Sequence, residues 1–379
     1  MKLSKIIIAS DSFKECLTSL EVAYAAENGI RKALPDCEVV GIPVADGGEG
    51  TIEALVSALN GHFVSCEVHD PLMNRIQTTY GILGDGRTAV IEIASASGLT
   101  LVPPEKRNPL FTSTYGTGEL IKDALQKGCR RFCIGIGGSA TNDAGTGMLQ
   151  ALGFRFLDKD GNELGKGGQI LEQIATIEMD QMLPALRESV FSIACDVNNP
   201  FSGKNGAACV YARQKGANDA MITLLDKGLR HFAQVIHTIV GKEINNIPGA
   251  GAAGGLGGGF VAFLPATLKS GIQMVLEVLD FDNRIKNADL IITGEGKIDQ
   301  QTGMGKTPAG ILEAGKRQRI PVIAIGGAVE DSDELMRQGF LAVLSIQSGP
   351  VSLEQAMDKS FASLQIERTV EQIIRLSML

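Results

Sequence analysis

Residues 5–59, KIIIASDSFKECLTSLEVAYAAENGIRKALPDCEVVGIPVADGGEGTIEALVSAL, decide the fold class. Lys5–Ser10 is a short β-branched run that reads as a strand. Thr18-Ser19-Leu20-Glu21 fits a capping box and opens a helix with Val22, Ala26, Ile30 and Ala33 on one face. Pro35-Asp36 stops that helix, and Glu38–Val44 reads as a second strand. Gly47-Gly48-Glu49-Gly50 then leads into a helix carrying Ile52, Leu55, Val56 and Leu59 at helical spacing. Strand, helix, strand, helix with apolar strands is the opening of a parallel α/β sheet.

The same grammar returns near the C-terminus. Asp289–Thr293, Pro321–Ile325 and Leu341–Ile346 read as buried strands, alternating with helical stretches at Pro308–Arg317, Asp331–Gln338 and Leu353–Leu376. Between the two regions the pattern changes. Phe63–Val68, Ile76–Leu83 and Ala89–Ala94 are three strands in close succession, as in an antiparallel or mixed sheet. A helix at Gly118–Gln126, a strand at Arg130–Ile136, a helix from about Asp143, a strand at Val190–Cys195 and a helix at Asp219–Val240 follow. The expected fold is therefore α/β with two domains. Residues 1–60 and 285–379 form a discontinuous flavodoxin-like domain with a parallel five-stranded sheet of order 2-1-3-4-5, and residues 61–284 form an inserted mixed-sheet α/β domain. The Gly249–Gly259 cluster reads as a local loop.

A chain of 379 residues suits two domains. Lys+Arg 35 against Asp+Glu 43 gives a net charge of -8, which opposes duplex nucleic-acid binding, where a basic face must neutralise phosphates. Seven cysteines without a C-x-x-C pair suggest reduced thiols. The N-terminal apolar run is too short for a secretion signal, and no stretch reaches the ~20 apolar residues of a membrane span, so a cytoplasmic, membrane-free protein is expected. The 46 glycines are clustered, which points to loops with unusual backbone angles or close backbone approach to a ligand.

In doubly wound sheets, ligands lie at the carboxyl ends of strands beside the point where strand order reverses. In a 2-1-3-4-5 order that point lies between the first and third strands. The polar residues gather there: Asp11-Ser12-Phe13-Lys14 after the first strand, and Asp46-Gly47-Gly48-Glu49-Gly50 after the second. Gly294-Glu295-Gly296-Lys297-Ile298-Asp299 follows the third and runs on to Thr302 and Lys306-Thr307. Taken singly, each loop also reads as a helix cap. The middle domain adds Gly137-Gly138-Ser139-Ala140-Thr141-Asn142-Asp143, whose glycines and hydroxyls before a helix make an anion cradle of backbone N–H groups. Thr112–Gly118 is a further candidate cradle. Asp196 stands at the tip of the Val190–Cys195 strand, where an Asx-turn is the plain alternative.

Two motifs are discounted. Gly249-Ala250-Gly251-Ala252-Ala253-Gly254 matches G-x-G-x-x-G, yet Pro248 precedes it and no strand leads into it, although Gly254 and Gly255 could still line a nucleotide pocket. Gly305-Lys306-Thr307 resembles the end of a Walker A loop, but Gln300 occupies the required first glycine position. His62, His69, His231 and His237 have no metal-ligand spacing, and none is expected near a candidate loop. Carboxylates, lysines and anion cradles on two domains facing a cleft suit phosphoryl transfer.

Read together, these strings resemble the type I glycerate kinase family. The likeness rests on Asp11-Ser12-Phe13-Lys14, Pro43–Thr51, Gly116-Thr117-Gly118-Glu119-Leu120, Ile136–Asp143, Cys195-Asp196-Val197, Pro248–Gly255 and Thr293-Gly294-Glu295-Gly296, in the right order over nearly the whole chain. Ser10 stands where proline is usual and Lys297 where arginine is common. The resemblance implies an ATP- and Mg2+-dependent kinase of D-glycerate with its site in the interdomain cleft. It implies 2-phospho-D-glycerate as product, with the 3-hydroxyl product open.

On this reading Asp196 is the candidate base, Lys14 a mobile cation for phosphate charge, and Asp11, Glu295 or Asp299 candidates for Mg2+. Ser12, Asp46, Gly47, Gly48, Glu49 and Lys306 belong to the phosphate and substrate loops, as do Gly137, Gly138, Ser139, Thr141, Asn142 and Asp143. Which cradle takes the nucleotide and which the glycerate carboxylate stays open, and so does a homodimer. The alternatives are a kinase of a related hydroxy or sugar acid, a non-catalytic small-acid-binding module, and a nucleotide-using dehydrogenase, which the misplaced G-x-G-x-x-G opposes.

Overall fold

The computed structural model describes residues 3–48, 50–299, 302, 306–330 and 332–378. Glu49, Gln300 and Gly305 lie outside the described residues. The chain divides into two compact units, Met1–Leu59 with Gly271–Leu379, and Asn60–Ser270. The helices Gly271–Val278 and Phe281–Arg284 thus belong to the first unit, ahead of the second crossing expected at 284/285.

The first unit is built on a five-stranded sheet in which Glu38–Gly41, Lys5–Ile8, Leu290–Ile298, Val322–Val329 and Ala342–Ser345 lie side by side in that order. Every pairing is parallel, with Ile7 opposite both Val40 and Ile291. This is the 2-1-3-4-5 order, with its reversal between Lys5–Ile8 and Leu290–Ile298. Ile6, Ile7 and Ile8 are buried, as a strand covered on both faces requires.

The Ser19–Ala33 helix begins as the capping box demands, with Glu21 N–H donating to Thr18 Oγ1 at 3.2 Å and Thr18 N–H to the Glu21 carboxylate at 2.8 Å. Its apolar stripe packs Val22, Ala26 and Ile30 against Ile366, Val370 and Ile374 of the Lys359–Ser377 helix. The expected single helix over 353–376 is two pieces, Leu353–Ala356 and Lys359–Ser377, because Asp358 caps the second by accepting from Phe361 N–H at 2.8 Å.

The second unit carries a six-stranded mixed sheet. Ala266–Lys269, Val190–Ala194, Arg131–Gly135 and Thr88–Glu92 run parallel, and Arg75–Ile82 and His62–His69 complete it antiparallel. Its core includes Phe132 stacked on Phe191 at 4.7 Å between ring centroids, and buried Tyr80, whose hydroxyl donates to Asp123 at 2.7 Å. A separate antiparallel pair joins Arg155–Leu157 to Thr176–Glu178.

The glycine cluster is a loop only in its first half: residues 249–251 form a turn, Ala253, Gly254 and Gly255 take positive φ, and the stretch from there to Phe263 is helical. Apolar residues and glycine make this stretch a buried helix that approaches other backbone closely. Among the described residues, no helix is long and apolar enough to cross a membrane.

Gly29 shows the same constraint in the first unit. A Cβ added there would lie 2.3 Å from the Glu367 carbonyl oxygen, on the helix packed alongside. Alanine favours an isolated helix over glycine by about 1 kcal/mol, but here Gly29→Ala forces the helices apart. Denaturant unfolding of this variant is expected to show a loss of about 1–3 kcal/mol rather than a gain.

Candidate active site

At the strand-order reversal of the first unit, the Asp11 N–H donates to the Gly294 carbonyl at 2.9 Å, tying the end of the first strand to the third. The third strand is longer than expected. It continues through Gly294, Glu295, Gly296 and Lys297 to Ile298, paired with Val322–Val329, so Glu295 is carried on a strand and not on a loop. Gly296 faces the preceding turn, where a Cβ would just touch the Phe13 Cα at 3.4 Å. A cavity of 410 Å³ opens here, lined by Asp11, Lys14, Asp46, Glu295 and Lys306 among others, with apolar Phe13, Ile346 and Met357. Its size is that of a small-molecule site.

The charges in this cavity press on one another. Asp11 is buried; its Oδ1 accepts from Ser12 N–H at 2.7 Å and its Oδ2 from Thr307 Oγ1 at 2.7 Å. Burial and then the Asp46 charge push the Asp11 carboxyl up to about 6, against the pull of these hydrogen bonds and of Lys14. Glu295 is raised as well, chiefly by burial, while a hydrogen bond from Thr302 and the charge of Lys306 oppose the rise. Lys14 is 64% exposed and pairs with Asp46 at 3.8 Å, a loose contact that leaves it mobile. Asp46 Oδ1 also accepts from Gly48 N–H at 3.0 Å, and Gly47 takes a φ of 89°, so the loop is an Asx-turn as well as a cavity wall. Asp299 N–H donates to Thr302 Oγ1 at 2.9 Å, and its charge is felt by Glu295.

In the second unit, the carboxyl ends of the parallel strands carry Glu92, the 137–143 loop and Asp196. Asp196 is exposed, one residue beyond the half-buried Cys195. The 137–143 loop is held from all sides. Ala140 N–H donates to Ser97 O at 2.9 Å, and Thr112 Oγ1 donates to Ala140 O at 2.9 Å. Asp143 is wholly buried, and its carboxylate accepts from Thr114 N–H, Thr114 Oγ1, Gly145 N–H and Gly147 N–H at 2.8–3.2 Å. Burial pushes its carboxyl up and these donors pull it down, with burial dominant. The hydroxyls of Thr112 and Thr114, taken from sequence as a second cradle, are therefore engaged in holding the first. Gly254 comes up against the loop from beneath: it has a φ of 71°, its carbonyl accepts from Ala144 N–H at 3.0 Å, and a Cβ there would lie 2.1 Å from Thr141 O. Gly255, with a φ of 90°, packs on Phe201 and Ala144 in the same way.

Two residues escaped the sequence reading. Lys215 lies buried under the 137–143 loop and donates to Ser139 Oγ at 2.7 Å and Thr141 O at 2.6 Å. Nothing in Arg213-Gln214-Lys215-Gly216 marks it, because its partners stand more than seventy residues away. His69 corrects the expectation that no histidine is near a candidate loop. Its Nδ1 lies 3.0 Å from the Glu119 carboxylate, and its ring meets Tyr115 edge-on at 5.5 Å, against the Thr112–Gly118 segment. Among the described residues no group of three or more His, Cys, Asp or Glu is placed to hold a metal ion.

Strand-end loops rich in glycine, hydroxyls, carboxylates and lysine, on two α/β units, define a protein that positions anionic substrates. Comparison with known proteins narrows this class. The model of the glycerate kinase family matches residues 6–378. Glycerate kinase of Bacillus subtilis is 49% identical over 370 residues, covering 97% of this chain and 96% of the relative. Glycerate 2-kinase of Escherichia coli is 46% identical over 361 residues, covering 95% of each. The crystal structure of a putative glycerate kinase 2 from Salmonella typhimurium superposes with a TM-score of 0.91 at 44% identity, covering 100% of this chain and 99% of the other. The chain belongs to the glycerate kinase family.

Burial lowers the Lys215 ammonium from 10.5 to about 7, against the attraction of Asp143. The unfolded chain thus binds more protons than the folded one between those values, so this lysine makes folding least favourable below about pH 7 and the penalty fades as pH rises. Lys215→Met removes the dependence. Denaturant titrations at pH 6 and pH 9 are expected to show the stability difference between wild type and variant moving in the wild type's favour at the higher pH.

Proposed function

We propose that the protein transfers the γ-phosphoryl group of ATP to the 2-hydroxyl of D-glycerate, as a cytoplasmic enzyme of the type I branch of its family. The observation that carries this reading is the first unit's cavity, where Asp11, Lys14, Asp46, Glu295 and Lys306 converge from strand ends distant in sequence. Phosphoryl transfer asks the protein mainly to place two substrates in line and to balance charge, and this inventory supplies both.

Lys14, exposed and loosely paired, swings from Asp46 to a phosphate oxygen at little cost. Lys306, at the N-cap position of the Thr307–Gln318 helix, adds a second cation beside a helix N-terminus. Asp196, an exposed carboxylate at a strand tip, accepts the proton of the substrate hydroxyl. The second unit's 137–143 loop receives an anionic group of one substrate.

Mg2+ fits the donors of the first unit. Asp11, Glu295 and Asp299 are hard oxygen ligands, and the charges of Asp11 and Asp299 add to burial in raising the affinity of Glu295 for positive charge. One or two of these carboxylates would hold the ion, which fills its shell with phosphate and water. When bound, Mg2+ neutralises charge on the triphosphate.

An assay of ADP release with a panel of hydroxy acids, followed by NMR of the product, tests the reading. D-glycerate is expected to be the preferred acceptor, with phosphate on its 2-hydroxyl; a small-acid-binding module would release no ADP. Lys14→Ala is expected to lower kcat/KM about 10²-fold, and Asp196→Asn to lower kcat by about 10²–10⁴-fold. Near-normal turnover by Asp196→Asn removes this residue as the base.

A further inference from the structure

Lys215 is buried to 1% exposure, and no carboxylate among the described residues forms an ion pair with it. Isolating an ammonium from water in this way is strongly unfavourable unless something offsets it. Both of its hydrogen bonds go to one short segment, Ser139 Oγ and Thr141 O. We infer that Lys215 and Ser139 form a relay that charges the anion site of the 137–143 loop, Lys215 fixing the Ser139 hydroxyl so that its proton is presented to an oxygen of the bound carboxylate or phosphate.

The direction of the relay follows from donor and acceptor chemistry. A lysine ammonium only donates, so Ser139 Oγ must accept from it. The serine proton is then free to point away from Lys215, and a donor polarised by a cation makes a stronger hydrogen bond to an anion. Three further polar atoms of the same loop, Thr141 Oγ1, Asn142 Oδ1 and Asn142 Nδ2, are buried without a hydrogen-bond partner among the described residues. Such groups call for a partner the protein itself does not supply. The loop therefore holds a hidden positive charge, a preset hydroxyl and unfilled polar capacity together.

The charged groups around Lys215 leave its charge available. Asp143 is the one that acts on it, but the Asp143 oxygens are held by Thr114, Gly145 and Gly147. Arg107, whose backbone packs on Gly216, donates to Val102 O at 3.2 Å, and Arg213 turns outward to Asp219. With its ammonium lowered to about 7, Lys215 takes up a proton from solution when an anion docks at neutral or higher pH. Affinity for that anion therefore falls as pH rises. Lys215 is a positioning residue acting through Ser139.

The inference rests on the glycerate kinase reading, and its test separates the two. The KM values for D-glycerate and for ATP are measured from pH 6 to pH 9 in wild type, Lys215→Met, Lys215→Arg and Ser139→Ala. Calorimetric binding of D-glycerate and of inorganic phosphate is recorded in parallel. In wild type, one substrate's KM is expected to rise above pH 7 with a slope approaching tenfold per unit. That substrate identifies the anion as carboxylate or phosphate. Lys215→Met and Ser139→Ala are expected to raise this KM at pH 7 and to flatten its pH dependence, whereas Lys215→Arg keeps the low KM but loses the slope, since arginine stays charged. Ser139→Ala removes only a hydroxyl and keeps the test open should Lys215→Met fail to fold. Wild-type KM values and slopes in the Ser139→Ala and folded Lys215 variants, with lowered stability alone, overturn the relay. Absence of D-glycerate turnover in the wild type instead overturns the kinase reading.

Discussion

The contact on which the rest depends is backbone against backbone at the carboxyl ends of the parallel strands. Loops carrying polar groups must lie within van der Waals reach of neighbouring main chain there, and only glycine leaves the room. A Cβ at Gly147 would lie 2.8 Å from Tyr115 N, one at Gly254 would strike Thr141 O at 2.1 Å, and one at Gly271 would strike Asp46 O at 1.8 Å. Each of these glycines abuts a segment that carries candidate site residues. At these positions glycine is a packing device.

Once the loops are drawn together, their charges cannot all be solvated. In the first unit the result is crowding, with Asp11 and Glu295 raised by burial and by neighbouring carboxylates. In the second it is isolation, with Lys215 enclosed under a loop whose nearest acid, Asp143, is fully engaged elsewhere. Under the proposed function, ligands of opposite charge would relieve both conditions: a cation in the first unit, an anion in the second. Strongly perturbed groups at strand ends are what catalytic sites accumulate.

Much of this was legible in the sequence. The parallel strands are legible as apolar β-branched runs and the first helix as a capping box, because strands buried on both faces leave a plain hydrophobic signature, and five such strands suit the order 2-1-3-4-5. What stayed hidden depended on distance. The glycine-rich stretch is a loop through Gly255 but helical from there to Phe263, and sequence does not separate the two halves, since glycine lowers helix propensity while permitting close packing. Asp358 divides the C-terminal helix by capping, a choice that local periodicity does not record. Lys215 is an ordinary surface-type residue in sequence and becomes significant only because residues 139 and 141 close over it. His69 meets Glu119 and Tyr115 across a strand-to-helix contact that spacing along the chain does not reveal.

The central proposal is that the strand-end loops of each unit bind ligand. Hydrogen–deuterium exchange with D-glycerate and a non-hydrolysable ATP analogue tests it most directly. Amide protection is expected in residues 10–14, 46–48 and 294–297 of the first unit and in residues 137–143 of the second when both ligands are present. Protection confined to one unit, with the other exchanging as in the free protein, would contradict it.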